Sequence, residues 1–205
     1  APAVLGGSPY SYFRYQHHLA ANNALAVFAE CATEFQRCCG RHYRAVETYC
    51  CDDAELVFVM IGSFASKAKA AIDSLRTAGQ AVGLLRPLLL RPFPATELRE
   101  ALTGKQGVAV IDQNLSPGHG GVLYSELAAA LYPLDQERPL LLSFIGGLGG
   151  RDMAPEEFFE MAAVTRHAVE TGTVPPPRLL YTEKELAEMR RLQAVAEQTR
   201  ERGTP

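Results

Sequence analysis

The sequence lacks the features that would place the protein in a membrane, in a secretory pathway or on nucleic acid. No apolar run approaches the roughly 18 residues that a membrane-spanning helix needs; the runs at 56–61 and 140–145 are only strand-sized. The N-terminus shows no basic segment followed by an apolar one, so we expect no secretory signal. The formal net charge of -3 gives no reason to expect nucleic acid or an anionic membrane as a partner. We therefore expect a cytoplasmic protein.

The sequence also lacks a cysteine pattern suited to a metal or an iron–sulfur cluster. Five cysteines lie between positions 31 and 51, but no pair has the C-x-x-C spacing, and adjacent thiolates bind one ion poorly. Their odd number argues against a disulfide framework. We expect reduced thiols and no metal site, with Cys31 and Cys38 serving as small core residues on one face of a helix.

Short apolar runs alternate with helical patterns through the middle of the chain. Continuous apolar runs between turn signals are typical of strands that are buried on both faces of a parallel sheet. Such runs predict strands at 56–61, 81–85, 108–112 and 140–145. The segments between and after them predict helices at 63–79, 95–102, 122–131 and 155–170. The pattern predicts a three-layer α/β sandwich, with a mainly parallel sheet flanked by helices.

The two ends of the chain differ from this alternating unit. Residues 1–12 are rich in Gly, Pro and Tyr and lack periodicity, which predicts an N-terminal strap, followed by a helix from about position 15 to Gly40. Three consecutive prolines at 175–177 predict a stiff linker. Thr182 and Glu185 then predict a capping box that opens a last helix. We expect one α/β domain over residues 1–174, and a linker with a helical tail over 175–205.

Unusual residues follow the predicted strands at their carboxyl ends, the edge at which parallel sheets bind ligands or partners. Glycines at that edge allow another backbone to approach closely. Arginines there can bind a phosphate or a partner's carboxylate, or can simply form a surface ion pair. We predict a binding or interface surface made of Gly62, Ser63, Arg86, Arg91, Asn114, Gly118, Gly120, Arg151 and Asp152.

No catalytic constellation is visible in the sequence. Gly147 and Gly149 supply the G-x-G of a dinucleotide fingerprint, but Asp152 stands where the third Gly or Ala belongs, and no acidic residue ends a strand about 20 positions further on. His119 has no carboxylate or nucleophile near it in the sequence that would make it a general base. A free-standing nucleotide-binding α/β protein and a pure assembly module both stay open as alternatives.

Three motifs in a fixed order carry a family resemblance. GLLRPLLLRPFP at 83–94, VAVIDQNLSPGHGG at 108–121 and FIGGLGGRD at 144–152 resemble the second domain of the alpha subunit of 2-oxoacid (pyruvate-type):ferredoxin oxidoreductases. That domain is similar to the C-terminal domain of transketolases. The resemblance includes the preceding helix, which ends in GRHY at 40–43, and it extends from about position 13 to 171.

The resemblance implies an enzyme that oxidatively decarboxylates pyruvate or a related 2-oxoacid to an acyl-CoA and passes the electrons to ferredoxin. The complete enzyme would use thiamine diphosphate, Mg²⁺, coenzyme A and 4Fe-4S clusters. In the family these groups are bound by other domains or subunits, so the resemblance implies no cofactor and no catalytic residue in this chain. We expect a structural and interface portion, cut from or complementing a larger alpha subunit. Its partners would be the thiamine-binding and ferredoxin-like domains or subunits of an oligomer.

Overall fold

The computed structural model describes residues 6–202 and contains a central sheet between two layers of helices. Its strands are β1 (Val46–Tyr49), β2 (Leu56–Met60), β3 (Val82–Pro87), β4 (Gly107–Asp112), β5 (Leu140–Ile145) and β6 (Arg178–Leu179). Its helices are α1 (Gly7–Cys39), α2 (Ala65–Thr77), α3 (Ala95–Leu102), α4 (Val122–Leu131), α5 (Pro155–Thr171) and α6 (Glu183–Arg202). The strand order is β1-β3-β2-β4-β5-β6, in which β1 is antiparallel to β3 and the other neighbours are parallel.

The alternation of side chains along the central strands explains the three layers. Along β2, Leu56, Phe58 and Met60 pack in one apolar cluster with residues of α2 and α5, whereas Val57 and Val59 pack in a second cluster with α3 and α4. Each strand therefore needs apolar residues on both faces, which its continuous apolar run supplies. The predicted three-layer fold is confirmed.

The N-terminal region differs from the prediction. Helix α1 begins at Gly7 and continues for 33 residues, so the predicted strap is wrong for residues 7–12; residues 1–5 lie outside the described part of the chain. Within α1 only Ala32 is buried, while Cys31 and Cys38 are exposed. The expectation that these two thiols are core residues is wrong, because the helix face that carries them does not pack against the sheet. Cys51 is instead the buried cysteine, and its thiol donates to the carbonyl oxygen of Leu84 at 3.1 Å.

The C-terminal region returns to the sheet after the prolines. Arg178 and Leu179 pair in parallel with Phe144 and Ile145 of β5, and Leu180 is buried in the core. The sequence predicts only a linker and a helix here, so this sixth strand is an addition. The predicted capping box is confirmed, since the Thr182 amide donates to Glu185 at 2.7 Å and the Glu185 amide donates to the Thr182 hydroxyl at 3.3 Å. Across residues 6–202 no helix has both the length and the apolar character needed to cross a bilayer.

Candidate functional site

The carboxyl ends of β2 and β4 meet at the point where the strand order reverses. The chain leaves β2 through α2 on one face and reaches β4 through α3 on the opposite face. Such reversals open a crevice above the sheet, which is the usual binding position in this architecture. Here the two strand-end loops are tied together, because the side-chain amide of Gln113 donates to the carbonyl oxygen of Ile61 at 3.0 Å. Gly62 lies next to this bond with φ +78°, in the left-handed region that favours glycine.

Asp112 fills the anion-binding position at the start of α4. Its carboxylate accepts the amide N–H groups of Leu123 at 2.8 Å and Tyr124 at 3.1 Å. Gly121 makes room for it, since a Cβ at that position would overlap the Asp112 carboxylate. The amide groups with which a helix N-terminus binds phosphate are therefore already occupied by the protein's own side chain.

Burial governs the ionisation of Asp112, whose side chain is 2% exposed. Desolvation raises the pKa of Asp112, and the hydrogen bonds from the α4 amides lower it by less, so that the pKa lies above the ordinary value of an aspartate. Asp112 is absent from the residues predicted from the sequence. Its signal is a charged residue that ends a fully apolar strand directly before a glycine-rich loop.

The glycine-rich loop after β4 is a miniature hairpin. Ser116 and Gly120 exchange two backbone hydrogen bonds, both 2.9 Å long, and Gly118 and Gly120 have φ values of +74° and +98°. The glycines therefore serve the turn itself. His119 lies exposed at the tip, with its Nε2 atom 2.8 Å from the hydroxyl oxygen of Ser125.

The pair formed by His119 and Ser125 lacks the third group of a nucleophilic triad. The Ser125 hydroxyl also lies 3.1 Å from the carbonyl oxygen of Gly121. None of the hydrogen bonds found among residues 6–202 joins His119 to a carboxylate that would orient its ring. The arrangement therefore provides an exposed polar contact rather than an activated nucleophile.

An apolar cleft of about 420 Å³ lies beside Asp112. Its walls include Ile61, Leu90 and Val122, and Arg91 and Asn114 lie at its polar side. Arg91 donates to the Glu126 carboxylate at 2.6 Å and to the carbonyl oxygen of Leu90 at 2.6 Å. The Arg91 side chain is 64% exposed and lines one side of the cleft, so its remaining N–H groups can bind solvent or a partner.

Arg86 lies away from the crevice, at the outer end of the sheet. It stands opposite Glu47 of β1 and donates to that carboxylate at 3.2 Å, while Lys69 binds the other carboxylate oxygen. Burial alone would raise the pKa of Glu47, but the two cations outweigh it and hold that pKa below its ordinary value. A surface ion pair was one of the interpretations of Arg86 from the sequence, and Arg86 forms such a pair with Glu47.

Arg151 is held by partners inside the protein. Its guanidinium group donates to both carboxylate oxygens of Glu157, at 3.0 and 2.6 Å, and to the carbonyl oxygen of Leu180 at 2.8 Å, and it lies 3.3 Å from Glu185. The bonds to Glu157 are the largest cause of a raised pKa at Arg151. Arg151 thus joins α5, the end of β6 and α6.

Asp152, next to Arg151, is exposed and pairs with Lys67 of α2. The hydrogen bond from Lys67 is the main reason why the pKa of Asp152 lies below its ordinary value. The pair crosses from the loop after β5 to the first turn of α2. The pair therefore links the loop after β5 to the start of α2, which follows Gly62 and Ser63 in the chain.

The predicted surface thus divides into three places. Arg91 and Asn114 line the cleft beside Asp112, and Gly62, with Ser63 next to it in the loop after β2, lies against the Gln113 side chain. Gly118 and Gly120 belong to the hairpin of the loop after β4. Arg86 belongs to the outer end of the sheet, and the pair Arg151 and Asp152 belongs to the loop after β5. Among residues 6–202 no group of three or more His, Cys, Asp or Glu side chains is arranged to hold a metal ion. Binding or interface roles for these residues stay predictions.

Comparison with known proteins decides the family. Residues 54–158, just over half of the chain, match the family described as pyruvate:ferredoxin oxidoreductase core domain II. The chain belongs to this family. The matched segment extends from the loop before β2 into α5, so it contains the crevice, Asp112 and the glycine hairpin.

The sequences of known oxidoreductase subunits are also similar to this core domain II chain, which supports the family assignment. It is 38% identical over 168 residues to pyruvate synthase subunit PorA of Pyrococcus abyssi, covering 82% of this chain and 42% of that subunit. It is 42% identical over 150 residues to PorA of Thermotoga maritima, covering 72% and 38%. It is also 37% identical over 171 residues to ketoisovalerate oxidoreductase subunit VorA of Pyrococcus horikoshii, covering 83% and 43%.

The resemblance stated from the sequence is confirmed by these matches, but the matched relatives are longer. The chain spans less than half the length of each of these subunits. Their names carry two different substrates, pyruvate and ketoisovalerate.

Proposed function

We propose that this core domain II chain is a structural and interface portion of a 2-oxoacid:ferredoxin oxidoreductase. The complete enzyme would convert pyruvate or a related 2-oxoacid to an acyl-CoA and pass electrons to ferredoxin. The observation that carries the proposal is how the carboxyl edge is occupied. The starts of α4 and α5 at this edge hold the chain's own carboxylates, while apolar side chains around the edge are left exposed.

Two helix N-termini at this edge have internal anions. Asp112 occupies that of α4, and Glu157 accepts the Ala154 amide at 2.8 Å at the start of α5. A diphosphate at either position would have to displace a carboxylate that is itself hydrogen-bonded. These residues do not fit thiamine diphosphate, so we place the thiamine, Mg²⁺, coenzyme A and 4Fe-4S sites in other domains or subunits. The same argument disfavours the free-standing nucleotide-binding alternative.

The exposed apolar side chains support an interface. Leu90, Leu115 and Val122 are 40%, 44% and 42% exposed, and all three lie on the carboxyl edge beside the charged pair of Arg91 and Glu126. An apolar patch with a charged rim is typical of a protein–protein contact. We propose that this patch, which we call the edge patch, packs against the thiamine-binding or ferredoxin-like parts of an oligomeric enzyme.

We also propose a cytoplasmic location. All five cysteines are free, and four of them are exposed on the surface. Exposed thiols of this kind persist in reducing compartments.

Calorimetry of the 205-residue chain tests the cofactor part of the proposal. Titration with thiamine diphosphate and Mg²⁺, and separately with a nucleotide, should show no affinity beyond that of inorganic pyrophosphate measured in parallel, because the starts of α4 and α5 already hold the chain's own carboxylates. An intact oxidoreductase stripped of its thiamine cofactor serves as the positive control. Binding of thiamine diphosphate or of the nucleotide about tenfold or more tighter than that of pyrophosphate would overturn the assignment.

A further inference from the structure

A second concave surface lies at the outer end of the sheet, apart from the crevice and the edge patch. It has a volume of about 780 Å³, within the range of roughly 300–1,000 Å³ found for small-molecule sites. The connector before β1 forms one wall and the β1–β3 edge forms the other. The residues that matter for its chemistry are His42, Tyr43, Arg44, Glu47, Arg86 and Leu88.

Two guanidinium groups face this concavity with unused donors. Arg86 gives one nitrogen to Glu47, and its Nε atom is buried without an acceptor anywhere in residues 6–202. Arg44 is exposed, and its Nε atom contacts the His42 ring at 3.4 Å. Within the described part of the chain, the terminal nitrogens of Arg44 make no hydrogen bond or ion pair. A pair of arginines with free fork-shaped donors matches the geometry of a carboxylate or phosphate.

The local charge favours an anion although the whole chain is acidic. Glu47 is shared between Arg86 and Lys69, and Arg44 adds a third cation with no carboxylate partner in the described residues. The lining arginines Arg44 and Arg86 outnumber its one carboxylate, and Lys69 outside the lining neutralises that carboxylate further, so the site is locally positive in a chain whose net charge is -3. A concave wall concentrates such a field and attracts small anions.

We propose that this concavity binds a small molecule that carries an oxyanion, either a phosphate or a carboxylate, through Arg44 and Arg86. Leu88 and Tyr43, 37% and 41% exposed, supply an apolar wall for the remainder of the molecule. The site is independent of the edge patch and of the proposed assembly role. It gives the domain a ligand of its own.

Two probes distinguish the sources of the oxyanion. Inorganic pyrophosphate and citrate are titrated separately into the 205-residue chain in 0.15 M salt, near physiological ionic strength, and followed by calorimetry. Saturable binding of pyrophosphate identifies a phosphate site, and saturable binding of citrate identifies a carboxylate site. Arg44→Gln and Arg86→Gln should each weaken the binding by about tenfold, the loss expected on removing one charged donor. Arg37→Gln is the matched control, since Arg37 is 79% exposed on α1 and should leave the affinity unchanged.

Two results would overturn the proposal. One is the lack of saturation with both probes up to about 10 mM, beyond the millimolar range of weak specific binding. The other is an equal loss of affinity in Arg37→Gln, which would mean that overall charge rather than this site attracts the anion. Because Arg86 contacts Glu47, its variant is first checked for folding by circular dichroism. Arg44→Gln lies at an exposed position and keeps the test decisive if Arg86→Gln does not fold.

Discussion

Replacing Arg151 by alanine should destabilise the domain itself. The Arg151 and Glu157 side chains are 18% and 10% exposed, and the guanidinium group joins α5, the carbonyl oxygen of Leu180 and α6. The variant would leave Glu157 buried without its cation. Breaking a fully buried pair costs about 3–5 kcal/mol, and partial screening by solvent reduces the expected loss to about 2–3 kcal/mol.

The loss is measured by thermal and urea unfolding of the 205-residue chain. For a chain of this size each kcal/mol shifts the Tm by about 2–4 °C, so Arg151→Ala should lower the Tm by about 5–10 °C. Arg178→Ala is the control, because the pair of Arg178 and Glu160 is 41% and 51% exposed, and such pairs contribute about 1 kcal/mol or less.

A Tm for Arg151→Ala no lower than that of Arg178→Ala would refute the reasoning. Arg151 would then be an exchangeable surface contact, and the predicted interface role would account better for its position. If the variant instead melts early and assembly fails only at temperatures at which the domain unfolds, the role of Arg151 is structural.

Three further predictions concern the crevice and the thiols. Asp112→Ala should destabilise the domain by about 1–2 kcal/mol through loss of a cap. Because burial raises the folded pKa of Asp112, its contribution is full at acidic pH, so the difference from wild type in urea unfolding should shrink as the pH rises above about 4. A difference that grows with pH would contradict this. Gly121→Ala should lower the free energy of unfolding by about 3 kcal/mol, because the new methyl group would overlap the Asp112 carboxylate. Gly118→Ala should lower it by only about 1 kcal/mol, because Gly118 has a positive φ but open space around it. Equal unfolding midpoints for the two variants would contradict this. Mass spectrometry after thiol labelling should show Cys51 reacting much more slowly than the four exposed cysteines, and equal rates would contradict its burial.

The strands and their helices were predictable because two signals coincide there. The bounds of α4 and β5 match the sequence prediction at both ends. Each is an apolar segment bounded by turn residues, and both faces of the sheet demand apolar side chains. Where the local apolar pattern matches the burial in the folded domain in this way, the sequence is sufficient to predict the bounds of the element.

The N-terminal helix shows where that agreement ends. Residues 7–12 have no apolar periodicity, yet they are helical, and Pro9 stands in the first turn, where its missing N–H costs little. The periodic apolar face with Cys31 and Cys38 predicts a buried stripe, but the pattern does not say which surface buries it. The sheet of this chain does not cover that face of α1, since both thiols are exposed.

The candidate site was predictable in position but not in contacts. Strand ends and glycines locate the carboxyl edge, whereas the partners of Arg86 and Arg151 come from elements distant in sequence, Glu47 and Leu180 among them. Strand β6 was missed for the same reason. Its two residues are too few to show a periodic pattern, and they pair only because the chain brings them beside β5. Long-range pairing of this kind leaves no local pattern.

Co-elution with the rest of the enzyme tests the central claim most directly. The chain is mixed with the thiamine-binding and ferredoxin-like parts of a PorA-type oxidoreductase and analysed by size-exclusion chromatography. Wild type should co-elute, and the double variant Leu115→Lys/Val122→Lys should not, while its own Tm stays unchanged because both side chains are exposed. Tyr132→Lys, at the far end of α4 and 75% exposed, is the control and should co-elute. Co-elution of the double variant as complete as that of wild type would contradict the edge patch as the assembly surface.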